Sequence, residues 1–277
     1  MKYIVTAMLC VVGTHVALKP YQCDAAEDLP DAPVKNLILP GETFLLEESA
    51  AFVLWPPEEL RREPQPWIMY APTLPGYPDE HEKWMHEQFL AAGVAVAGID
   101  AGEAYGSPRG QQWMSALYHE LTERRGFAKK ICLLGRSRGG LWVSSWAIAH
   151  PDKVAGIAGI YPVFDLRSYP GLDRAASAFE LSAQELDAQL SRHNPIQKAE
   201  VLAQNRIPVY IIHGDDDKVV PLEANSAALA NIYTRGKAAD VFKLEVVAGQ
   251  GHNFWEGFFK CQGLIEFAIE SARDGCK

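Results

Sequence analysis

Ser137 stands between two glycines in Gly135-Arg136-Ser137-Arg138-Gly139, and a serine so placed can serve as a nucleophile. Its hydroxyl is weak at its free pKa, so it needs a base to take the proton and a third group to orient that base. Two downstream stretches offer such groups. Tyr210-Ile211-Ile212 runs into His213-Gly214-Asp215-Asp216-Asp217-Lys218-Val219-Val220-Pro221, and the run from Val241 to Val247 leads into Ala248-Gly249-Gln250-Gly251-His252-Asn253-Phe254. Serine, acid and histidine in that chain order suit covalent acyl transfer, with attack on a carbonyl, an acyl-enzyme and its hydrolysis.

These groups need elements to hold them. Ile131-Cys132-Leu133-Leu134 reads as a buried parallel strand, and Gly140 to Ala147 reads as a helix packed on a sheet. Strand, sharp turn and helix around G-x-S-x-G form a nucleophile elbow. The turn holds the serine at strained φ/ψ, the glycines let the helix start close to the strand, and the helix N-terminus leaves N–H groups for an oxyanion.

Upstream, residues 36–39, 43–46 and 51–55 are short apolar runs divided by Pro40-Gly41 and Glu47-Glu48, and they predict antiparallel strands at one sheet edge. From Pro66 to Ala71 onward, strands alternate with helices predicted over about 80–92 and 111–125. Further strands follow at 154–161, 209–212 and 241–247, and further helices at 221–232 and 256–272. The pattern predicts a mostly parallel central sheet with helices on both faces. Residues 162–206 interrupt it with short helical signals, among them the capping-box spacing at Ser182 and Glu185, and read as a small helical insertion over the site. One domain from residue 27 to 277 is expected.

With this order of motifs, the chain resembles the α/β-hydrolase superfamily, in its prolyl-oligopeptidase-like and acetyl-xylan-esterase-like branch, over roughly residues 50–272. The resemblance implies that Ser137 is the nucleophile, that H-G-x-x-D-x-x-V-P places the acid at Asp217, and that Gly251-His252 places the base at His252. Asp215 and Asp216 are rivals for the acid, and Asp165, beyond the next strand, is another. The oxyanion hole would use the backbone N–H of Arg138 and one from the loop after Tyr70-Ala71. Family members usually carry His-Gly there; this chain has Ala71-Pro72-Thr73, and since Pro72 has no N–H, Thr73 becomes the second donor.

Arg136 reads as half of an ion pair at the rim of the site or as a substrate contact. Arg138, disfavoured at a helix start by the dipole, reads as a cation compensated by a nearby acid or as a carboxylate-binding group. An arginine directly after the nucleophile also resembles the glucuronoyl esterases. Tyr105, Trp113, Trp142, Trp146 and Trp255 are further candidates for substrate contact. Helix-to-sheet packing is the expected use of at least one of Trp142 and Trp146, four apart on the elbow helix, and Trp255, close after His252, is the better cleft candidate. His81 and His86 miss the H-E-x-x-H spacing by one residue and read as surface or loop histidines, so a zinc hydrolase is not supported. His213 reads as structural, bonded to backbone, and His119 and His193 carry no motif.

In 277 residues, 48% are hydrophobic and 22% charged, as in an ordinary globular chain, and the net charge of −9 argues against nucleic acid or an anionic membrane as partner. Lys2 followed by a short apolar run predicts an export segment over residues 1–26, hence a periplasmic or secreted protein without stable membrane insertion. Cys132 is predicted buried, and Cys261 and Cys276 are candidates for one disulfide in an oxidising compartment. The expected activity is a serine hydrolase that cleaves a carboxylic ester of an acylated or methyl-esterified carbohydrate, with no metal or cofactor. The alternatives are a prolyl-oligopeptidase-like peptidase, for whose propeller this length leaves no room, and a catalytically silent binding protein on the same fold.

Overall fold

The computed structural model describes residues 35–277; the predicted export segment lies outside them. Eight strands form one sheet: β1 (Gly41–Leu46), β2 (Ser49–Leu54), β3 (Trp67–Tyr70), β4 (Ala95–Ile99), β5 (Ile131–Arg136), β6 (Val154–Ile160), β7 (Val209–Gly214) and β8 (Phe242–Val247). Their spatial order is β1-β2-β4-β3-β5-β6-β7-β8, and every pair from β4 through β8 is parallel. The expected antiparallel edge is a hairpin. β1 pairs with β2 through a two-residue turn in which Glu47 and Glu48 take φ of 49° and 67°, the geometry that matches strand twist, and β2 pairs antiparallel with β4. The strand predicted at residues 36–39 does not form; Leu37 and Leu39 are apolar because they pack on the core.

The pleat divides the core into two layers, because successive side chains on a strand point to opposite faces. Trp67, Met69, Ala95, Ala97, Ile131 and Leu133 face one layer, with α2 (Pro108–His119) and α3 (Gly139–Ala149). Ile68, Tyr70, Val96, Cys132 and Leu134 face the other, with α1 (Lys83–Ala91) and the C-terminal helix over Gln262–Asp274. Each fully buried large side chain contributes about 1.5–3 kcal/mol, so the doubly covered strands β3 to β7 form the rigid platform for the site. α2 starts earlier than its apolar pattern suggests, since Pro108 takes the first helical position and Ser107 accepts from the Gly110 N–H. It continues as one π-turn over Glu120–Arg124.

Residues 162–206 contain five short helices: α4 (Leu172–Ala175), α5 (Ala183–Ala188), α6 (Leu190–His193), α7 (Pro195–Lys198) and α8 (Glu200–Gln204), with the capping box present at Ser182 and Glu185. Leu186, Leu190 and Leu202 join the core layer of α3. The insertion therefore covers the outer side of α3, and of its residues beyond the elbow's own turn only Tyr169 lines the catalytic cavity. The chain closes with α9 (Ser226–Arg235), α10 (Glu256–Phe259) and α11 (Gln262–Asp274). Cys261 and Cys276 are both free thiols. The thirteen residues of α11 lie between them, and at 1.5 Å per residue that holds them about 20 Å apart, far beyond disulfide reach. Among the described residues no helix is long and apolar enough to cross a membrane.

Candidate active site

β5 ends at Arg136 and α3 begins at Gly139, so Ser137 occupies the turn between them with φ of 51°. That left-handed conformation is costly for a residue with a Cβ, and local bonds hold it. The Ser137 N–H donates to Ile160 O on β6 at 2.9 Å, and the Ser137 carbonyl accepts from Gly140 at 2.9 Å and Val163 at 2.8 Å. Gly140 has to be glycine, because a Cβ there would lie 2.5 Å from Val163 O and 2.6 Å from Pro162 Cβ.

β7 and β8 carry the other two groups in the loops at their carboxyl ends. His252 Nε2 lies 2.9 Å from Ser137 Oγ, and His252 Nδ1 lies 2.8 Å from Asp217 Oδ2. The other Asp217 oxygen accepts from the Val219 and Val220 N–H groups at 2.9 and 2.7 Å. Burial of Asp217 pushes its pKa up, yet hydrogen bonds from His213 and His252 and the Val220 N–H outweigh burial and hold it well below the usual carboxylate range. His213 is buried; its Nε2 donates to Val220 O at 2.9 Å and also faces Asp217 Oδ2 at 3.4 Å, and its Nδ1 lies 2.7 Å from Ser226 Oγ, which is the structural role expected of it. The rivals for the acid are engaged elsewhere: Asp215 accepts from Gly249, Asp216 pairs with Lys218, and Asp165 binds Asn194 and Arg167.

A carboxyl whose folded pKa is depressed stabilises the fold fully above its unfolded pKa, and that contribution is lost as pH falls through the folded value. The wild type is therefore expected to lose resistance to urea as pH drops below about 4, and Asp217→Asn to lose less over the same interval. Urea midpoints at pH 7 and pH 3.5 for both proteins measure this; equal losses would rule it out.

For the oxyanion, the Arg138 and Thr73 N–H groups have no acceptor among the described residues. Both residues line the same cavity of about 170 Å³ as Ser137 and His252.

The two arginines have separate surroundings. Arg138 forms an ion pair with Glu103 and approaches the Tyr169 ring to 5.8 Å, so its charge at the helix start is compensated as expected. Arg136 is a correction: it is buried, not at the rim. The pleat that sends Cys132 and Leu134 toward α1 also sends Arg136 there. Its two Nη atoms bind Asp79 at 3.2 and 3.0 Å, and Nη1 lies 2.9 Å from Glu82. Tyr70 donates to Glu82 at 2.8 Å. Burial raises the Glu82 pKa to about 7, against the opposing pull of Arg136. The guanidinium also faces the Tyr77 ring at 4.3 Å. His86 is a second correction, since it is fully buried beside Tyr70 and Phe89, and desolvation lowers its pKa to about 3.

Three candidates for substrate contact are not in the cavity. Trp142, on α3, is 1% exposed and belongs to the core layer. Trp255 points away and packs edge-on against Phe258, while its neighbour Phe254 lines the cavity. Tyr105 is buried beside Glu103 behind Arg138, with burial and Glu103 raising its pKa. Trp146 is also core, and Trp113 lies outside the cavity under Arg109. Residues the sequence did not single out take their places. Tyr161, at the end of β6 with φ of 36°, lies 4.4 Å ring to ring from His252, and Tyr77, Tyr169, Val219 and Asn253 complete the walls. Position at a strand end beside the elbow was the only sequence signal for Tyr161.

Comparison with known proteins follows from this geometry. The chain superposes on Est1E from Butyrivibrio proteoclasticus with a TM-score of 0.62 at 20% identity, covering 83% of this chain and 98% of that one. It superposes on Porphyromonas gingivalis dipeptidyl peptidase 4 with a TM-score of 0.64 at 16% identity, covering 85% and 35%. For Mycobacterium tuberculosis MPT51 the TM-score is 0.64 at 15% identity, covering 84% and 99%. At these identities the likeness is one of fold, the α/β-hydrolase fold. No curated protein matches the chain by sequence. The model of the prolyl oligopeptidase family matches residues 120–263, just over half of the chain, and spans the elbow, the Asp217 loop and His252. The chain is a serine hydrolase that belongs to the prolyl oligopeptidase family.

Proposed function

We propose that the protein hydrolyses a carboxylic ester of an acylated or methyl-esterified carbohydrate. The carrying observation is the continuous chain from Ser137 Oγ through His252 to Asp217, at 2.9 and 2.8 Å. Ser137 attacks the carbonyl as His252 Nε2 takes its proton, Asp217 fixes the imidazole tautomer, and the Arg138 and Thr73 N–H groups hold the oxyanion. His252 then gives the proton to the leaving alcohol, and later activates the water that hydrolyses the acyl-enzyme.

The charge of the cavity supports an ester over a peptide with a free amino end. Arg136 and Arg138 line it, no carboxylate side chain lines it, and the adjacent acids Asp79 and Glu82 are tied to Arg136. No carboxylate is left to pair with a protonated amine, since Glu103 is tied to Arg138 as Asp79 and Glu82 are to Arg136. The family match and the dipeptidyl peptidase neighbour favour a peptidase as second reading.

The test compares short acyl esters and acetylated xylo-oligosaccharides with a prolyl anilide. The ester reading expects kcat/KM at least about 100-fold higher on the esters. Faster anilide cleavage would establish the peptidase instead. No turnover, with no fluorophosphonate label on Ser137, would leave a binding protein.

A further inference from the structure

We propose that the alcohol part of the substrate is a glycosyl unit, held in a groove beside the catalytic cavity that Trp84 and Phe259 line. This rests on the ester reading and adds where the leaving group binds and what it is. The catalytic cavity encloses about 170 Å³, below the roughly 300 Å³ at which pockets begin to hold whole ligands. It has room for the ester group and a short acyl chain, and the rest of the substrate must extend outside.

Proton transfer sets the direction. The leaving oxygen receives its proton from His252 Nε2, so the alcohol lies on the His252 side of the scissile bond. Phe254, two residues after His252, lines both the catalytic cavity and a second hollow of about 400 Å³. It is 55% exposed, and with Val219 and Trp255 it makes up half of the six exposed large apolar side chains among the described residues. All three stand on the two loops that carry Asp217 and His252. Trp255 turns away, but Phe254 and Val219 both line the catalytic cavity, and exposed apolar surface at one place marks a binding site.

The second hollow combines two kinds of surface. Trp84 and His81, whose ring stacks on Phe254 at 4.3 Å, give it aromatic walls over the buried ring of Phe259, while Glu80, Lys83, Glu87, Glu256 and Lys260 give it a charged rim. Aromatic faces suit the C–H faces of a pyranose ring, and carboxylates and ammonium groups suit its hydroxyls as acceptors and donors. A plain alkyl or aryl alcohol would leave the rim unused. The Lys260 ammonium lies 5.6 Å over the Trp84 ring and pairs with Glu256, so one face of the indole is already covered by a polar group. That pair is solvent-exposed, and exchanging it for sugar hydroxyls costs little.

The experiment measures kcat/KM of wild type, Trp84→Ala and Glu87→Gln on acetylated xylo-oligosaccharide, on p-nitrophenyl acetate and on ethyl acetate, whose alcohol is too short to reach the groove. For Trp84→Ala the ratio of oligosaccharide to ethyl acetate is expected to fall about 10-fold or more, chiefly through KM. Glu87→Gln should lower it in the same direction by a smaller factor. An unchanged ratio in both variants would overturn the proposal, as would an equal fall on p-nitrophenyl acetate, which would make the occupant an aryl ring. If Trp84→Ala does not fold, the exposed Glu87→Gln decides alone. Wild type that turns over ethyl acetate but not the oligosaccharide sinks the subsite while the ester reading stands; absence of Ser137-dependent turnover on all three esters sinks both.

Discussion

Ser137→Ala is expected to lower kcat by on the order of 10⁶-fold, since nucleophile, base and acid act as one unit. The hydrogen bonds of 2.9 and 2.8 Å leave each residue's role dependent on the next. Without the hydroxyl, His252 has no proton to accept; without the imidazole, the hydroxyl stays a weak nucleophile. His252→Ala should therefore fall to a similar level, and the double variant no further. The residual rate would come from the Arg138 and Thr73 donors, which neither substitution touches. Single-turnover kinetics of the three variants measure this. A double variant much slower than either single one would show that the residues act independently and would remove the triad from the mechanism. Ser137→Ala should also relieve little strain, because alanine keeps the Cβ that makes φ of 51° unfavourable.

Arg136→Met is expected to cost about 3–5 kcal/mol of stability at neutral pH, the usual consequence of removing one partner from a buried ion pair. The Arg136 side chain is 4% exposed and that of Glu82 0%, so Glu82 is left as a charge in a dry interior. Glu82 can escape by taking a proton, and its pKa, already raised to about 7 by burial, should rise further without the cation. A carboxyl with a raised folded pKa favours the protonated form in the fold, so its stabilising effect is full at low pH and is lost as pH rises through the folded value. The deficit of the variant should therefore be larger at pH 8 than at pH 5. Urea midpoints of both proteins at the two pH values test this; a deficit independent of pH would place the cost in lost packing against Tyr77 and Phe254. The same substitution loosens the loop from Ala71 to Glu82, which carries Thr73, and should lower kcat more than it raises KM.

The chemistry was legible because it is written in types and order. Gly135 and Gly139 around Ser137, an Asp-rich loop after one apolar run and Gly251-His252 after the next are local features, and parallel strands place their carboxyl ends together. Cys132 in the central strand and the structural role of His213 were legible for the same reason. Trp142 was legible in principle: residues 141–148 are apolar on nearly every side apart from two serines, and a helix of that kind is buried all round. The packing alternative for Trp142 and Trp146 is the one the structure bears out for both.

By itself, the sequence determined the α/β architecture, the elbow with Ser137 and the two loops that carry the acid and His252, since each depends on a short segment and on strand order; which aspartate faces His252 was decided by the tertiary structure. Tertiary structure alone decided the walls and the electrostatics of the site. Arg136 meets Asp79, 57 positions away, because the pleat of β5 turns it toward α1. Tyr161 meets His252 because β6 ends beside the elbow, and Phe254 takes the place expected of Trp255 because the loop after β8 turns one aromatic inward and the next outward. None of these contacts has a spacing along the chain; each exists only where separate loops are brought to the same end of the sheet.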